Sequence, residues 1–67
     1  MSVAKVTEIT AGSKKGFQEA IEKGIKRAAK TLEDVRAAWV NEMSVTVKDG
    51  AIDEYRVNMK VTFVLKD

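Results

Sequence analysis

Tyr55-Arg56-Val57-Asn58-Met59-Lys60-Val61-Thr62-Phe63-Val64-Leu65 alternates in character residue by residue. The odd positions, Tyr55, Val57, Met59, Val61, Phe63 and Leu65, are all apolar. The even positions, Arg56, Asn58, Lys60 and Thr62, are polar until Val64 breaks the pattern. Period-two alternation predicts a strand with one face on a core and the other in a wetter setting. At about 3.4 Å per residue this strand spans roughly 35 Å. A chain of 67 residues has little left with which to cover both of its faces.

A second alternating stretch precedes it. From Val35 to Val47 the odd positions are apolar except Asn41, and the even ones include Arg36, Ala38, Val40, Glu42, Ser44 and Thr46. Lys48-Asp49-Gly50 joins the two strands. A two-residue Asp-Gly turn in a straight register pairs odd with even positions and splits the apolar faces. A three-residue loop with Gly50 as its left-handed residue keeps them together, and is the expectation here. It sets Val45 opposite Asp53, Met43 opposite Tyr55, Trp39 opposite Met59, Ala37 opposite Val61, and Glu42 opposite Arg56 as a cross-strand ion pair.

Upstream, Phe17, Ala20, Ile21, Ile25, Ala28, Ala29 and Leu32 recur at helical spacing and predict an amphipathic helix from Lys14 to about Leu32, with Ser13 as its N-cap. Its other face carries Lys and Glu, including the pairs Glu19–Lys23 and Glu22–Lys26. Gly24 falls inside the apolar stripe, where it reads as a point of close approach to the sheet. Val3 to Ile9 reads as a short first strand, ended by Thr10-Ala11-Gly12-Ser13. The expected fold is α+β: a β-α-β-β unit over residues 1–67, one domain, with a three-stranded antiparallel sheet of order 1-3-2 packed on one helix.

Composition narrows the function. A chain this small gains little from a single core, and without Cys or His it has neither disulfides nor soft metal ligands to help. Self-association is the remaining device. The net charge of +2 comes from 12 basic against 10 acidic residues, interleaved, which argues against a nucleic-acid partner. No apolar run approaches a membrane span and no signal-peptide core is visible, so a cytoplasmic protein is expected. The absence of His, Cys and a Gly-rich phosphate loop argues against an enzyme.

The β-α-β-β order, the Gly12-Ser13 helix lead-in, Arg27-Ala28-Ala29-Lys30-Thr31-Leu32 and the strand from Tyr55 to Phe63 together resemble the dodecin family, along nearly the whole chain. The resemblance implies a homododecameric hollow shell that binds riboflavin- or FMN-type flavin without catalysis, to store or sequester it. In that family flavin stacks on a Trp and hydrogen-bonds to a Gln. Those positions fall on Ala37 and Arg56, a pattern that looks like the calcium-dodecin subgroup. Trp39, the only Trp, stands two residues further on, about 6–7 Å along the strand.

Two readings follow. In one, a flavin-like ring is held at Trp39 and touched by Arg56, with Ala37 and Glu42 bordering it. In the other, the shell is structural or binds a divalent cation through Glu42, or through Asp49, Asp53 and Glu54 near the turn, gathered from several subunits. Trp39 also reads as a core or interface residue, and Arg56 as a partner of Glu42. Ala37 and Arg56 lie on opposite parities, so a bulge between Trp39 and Glu42, or a contribution from different subunits, is needed to bring them to one face.

Overall fold

The structure, a computed structural model, describes residues 3–65. The elements run β1 (Val3–Ser13), α1 (Phe17–Thr31), β2 (Val35–Lys48) and β3 (Ala51–Leu65). The sheet is antiparallel in the order β1-β3-β2, so the strongly alternating strand is central as expected. Its odd positions Val57, Met59 and Val61 are buried and form the core with Ala20 of α1. Ile9, Ala11, Ile21, Ile25, Leu32, Ala38 and Val40 pack around them, and Phe17 meets Tyr55 edge-on at 5.1 Å.

Gly24 is the contact point between helix and sheet. A β-carbon there would lie 2.5 Å from Met59 Cε and 3.1 Å from Ala11 Cβ. The stripe expected on the helix is otherwise as read, except that Ala29 is exposed.

Several local expectations are overturned. β1 does not stop at Ile9 but continues to Ser13, because Thr10, Ala11 and Gly12 keep pairing with Asn58, Val57 and Arg56. Ser13 is therefore not the N-cap. The helix starts later, after Gly16, with no side-chain cap. Ser13 is instead buried; its Oγ accepts from the Lys15 N–H at 2.9 Å and donates to Glu19 Oε1 at 2.7 Å. That hydrogen bond, aided by Lys15 and Lys23, holds the Glu19 carboxyl below its ordinary pKa.

The hairpin turn also differs. Lys48 pairs with Ala51, leaving a two-residue turn of Asp49 and Gly50 with φ of 52° and 78°. Positive φ at both central residues is the type I′ pattern, whose twist matches that of the strands. Parity is restored by an irregularity at Asp53 rather than by a longer loop, so Val45 faces Tyr55 and Met43 faces Val57. Two more irregularities follow along β2, at Asn41 and at Arg36. Asp34, with φ of 57°, opens β2, and its carboxylate takes Arg36 in a two-bond clasp at 2.7 and 3.1 Å.

Candidate functional site

The irregularity at Asn41 decides what the open face of the sheet carries. From Glu42 to Thr46 the even residues of β2 pair with the even residues Asn58, Arg56 and Glu54 of β3. Beyond Asn41 the register advances by one, so Val40 pairs with Met59, Trp39 with Lys60, Ala38 with Val61 and Ala37 with Thr62. One extra residue in one strand exchanges the faces of all that follow it. Ala38 and Val40 turn to the core, whereas Trp39 and Ala37 turn to the side away from the helix. The bulge required between Trp39 and Glu42 is present, and the four candidate residues Ala37, Trp39, Glu42 and Arg56 share one face.

The expected pairing of Trp39 with Met59 and of Ala37 with Val61 is thereby corrected to Lys60 and Thr62. Glu42 does not face Arg56 either. It pairs with Asn58, and Arg56 sits between Ser44 and Gly12. The guanidinium approaches Glu54 instead, at 3.6 Å along its own strand. Asn41 and Asn58 complete a hydrogen-bonded row: Asn41 Nδ2 donates to Asn58 Oδ1 at 3.1 Å, and Asn58 Nδ2 donates to Thr10 Oγ1 at 3.3 Å. That row ties all three strands together across the open face.

Trp39 is 66% exposed, a large apolar surface left to solvent. Lys60 Nζ lies 5.3 Å from its ring centroid. Val6, also exposed, stands on the same face opposite Thr62. Trp39 and Arg56 are not neighbours, because Lys60 lies four residues from Arg56 on β3, about 13 Å. The cation beside the indole is Lys60, which sequence reasoning passed over. The even parity of β3 was the available signal, but without the bulge it led away from Trp39.

The face offers a stacking surface, not a reaction centre. No group of three or more His, Cys, Asp or Glu among the described residues is placed to hold a metal ion, so Glu42 by itself makes no cation site within one chain. A depression of about 420 Å³ lies on the other side of the sheet, between β1 and α1, lined by Ile9, Ala11, Gly24, Arg27 and Leu32. Among the described residues no helix is long and apolar enough to cross a membrane.

This arrangement of strands and helix has close relatives. The calcium dodecin of Mycobacterium tuberculosis is 30% identical over 66 residues, covering 98% of this chain and 93% of the relative. The dodecin of Thermus thermophilus is 32% identical over 65 residues, covering 97% and 94%. The solved dodecin of Streptomyces davaonensis superposes with a TM-score of 0.95 at 36% identity, covering 98% of this chain and 97% of that one. Residues 3–66 match the sequence profile of the dodecins, and the chain belongs to that family.

Proposed function

We propose that this chain is the subunit of a non-enzymatic, cytoplasmic homododecameric shell that binds a planar aromatic ligand of the flavin type, with Trp39 as the stacking surface. The observation that carries this reading is the exposure of Trp39 on a face the subunit leaves uncovered. An indole presented to solvent on a rigid strand loses little conformational freedom when a flat ring stacks on it. Ala37, two residues along on the same face, leaves room beside it. Arg56 and Glu42 border the face further along the sheet, where a ligand on a neighbouring subunit's Trp39 comes within their reach.

Assembly is supported by what else the subunit leaves open. Met43, Val45, Val47 and Ile52 are exposed apolar residues on the hairpin, along an edge strand that the helix does not cover. A 67-residue monomer has no further segment with which to bury them, and a second copy is the occupant at hand.

A second reading has a specific support: Ala37 and Arg56 depart from the family's flavin positions, and one relative is a calcium dodecin. It makes the shell a flavin-free assembly binding a divalent cation at Glu42 residues gathered from several copies. Native mass spectrometry of the protein as purified tests both readings. A twelve-subunit mass carrying flavin, with Trp39 fluorescence quenched, is the expected result. A twelve-subunit mass that takes up calcium but no added flavin overturns the first reading in favour of the second. A monomer overturns both.

A further inference from the structure

We propose that Lys60 sets the charge preference of the Trp39 face, so that it selects planar aromatic ligands bearing an anionic group over neutral ones. The inference rests on the stacking role given to Trp39 above. Lys60 occupies the central strand directly opposite Trp39, and its ammonium lies 5.3 Å from the ring centroid. Its stem is half-buried in the sheet, so the charge stays close to the indole wherever its last carbons swing.

A flat ring arriving at Trp39 has two choices. It displaces the ammonium from the indole, ending the contact between the cation and the ring, or it stacks on the free side and leaves the ammonium at its edge. In both cases a cation is left beside the bound ligand. A neutral ligand gives that cation nothing in return. An anionic group tethered to the ring supplies a partner for it.

Other charges on the face affect the size of this preference but not its sign. Glu8 is opposite Lys60 on β1, and Glu42 follows on β2 beyond the Asn41 bulge. Both carboxylates are exposed, and both are present whichever ligand arrives. Arg56 stands four residues away beside Glu54 and does not substitute for Lys60.

Riboflavin and riboflavin 5′-phosphate carry the same ring and differ by an anionic group, and Trp39 is the only Trp, so its fluorescence reports binding directly. The assembled wild-type protein is expected to bind the phosphate form about threefold to fivefold more tightly, the scale of one partly exposed ion pair. The ratio is expected to fall toward one in Lys60→Met and to persist in Lys60→Arg. In wild type it is expected to shrink as potassium chloride is raised, a check that stands even if Lys60→Met does not assemble. Quenching by both flavins at a ratio near one, or a preference that survives in Lys60→Met, overturns the role of Lys60 and leaves Trp39 as a stacking surface. No quenching by either flavin overturns the stacking reading, and this inference with it.

Discussion

Gly24 and Met59 share a space with no room for one more carbon: a β-carbon on Gly24 would stand 2.5 Å from the Met59 methyl. The absent side chain lets the helix sit down on the central strand, and Met59 fills the resulting slot completely, with 0% of its surface exposed. Gly at a helix interior costs about 1 kcal/mol relative to Ala, and here close packing offsets that cost. The Met59 methyl can swing aside, but Ala11 Cβ, at 3.1 Å from the same point, cannot. Gly24→Val should therefore destabilise the protein by roughly 1–3 kcal/mol through overpacking. Urea unfolding at fixed protein concentration measures it, and an unchanged midpoint would mean that the helix is free to lift off the sheet.

Met59→Asp should abolish folding of the subunit. The residue lies among Ala20, Val57 and Val61 at the centre of the core, where a carboxylate finds neither water nor a cation. Circular dichroism of the soluble fraction checks this. A soluble Met59→Asp protein with native ellipticity would contradict the assigned face of β3. Met59→Ala should fold, at a cost of roughly 2–5 kcal/mol.

Ser13 and Glu19 link the end of β1 to the first turn of α1. Because the Ser13 hydroxyl stabilises the ionised carboxylate, the folded-state pKa of Glu19 is lowered, and the linked stability is present above the ordinary Glu value and lost as pH falls through the lowered one. Ser13→Ala should move the Glu19 titration up toward its ordinary value and narrow the acid range over which the protein stays folded. Carboxyl-resolved NMR titration reads the first effect directly. A Glu19 titration unmoved by Ser13→Ala would assign the lowering to Lys15 and Lys23 instead.

Arg56→Ala should change the stability of the subunit fold by less than about 1 kcal/mol, since its pairing with Glu54 is an exposed contact at 3.6 Å. Its effect should appear in assembly, because Arg56 faces the side that the subunit leaves open. Native mass spectrometry across a dilution series separates the two. An assembly as dilution-resistant as wild type would remove Arg56 from the intersubunit face.

What the sequence determined by itself was everything that depends on the period of apolar residues. The alternation of β3 placed it at the centre of the sheet, and the helical stripe with its inserted Gly24 placed the helix against the odd face. Burial is a strong, summed signal, and it survives small errors of register. Local caps and turns were read less well. Ser13 looked like an N-cap because its chemistry suits that role, but pairing of Thr10 to Ser13 along β3 contributed more than a cap could. At the hairpin the positive φ of Asp49 and Gly50 allowed a tight turn, and the parity it upsets was mended one residue later, at Asp53.

The candidate site belongs to the tertiary structure. Every identity on the open face was visible in the sequence, but which residues face it depended on Asn41 standing outside the ladder. A single unpaired residue reverses the faces of all that follow, and nothing in the apolar period of β2 marks it as required. Its effect appears only when β2 is laid against β3, where Ala38 and Val40 gain more by turning to the core than Trp39 loses by turning away. The sequence supplied one Trp on one strand. The bulge, by setting it opposite Lys60 instead of Met59, turned a residue suited to the core into one presented to a ligand.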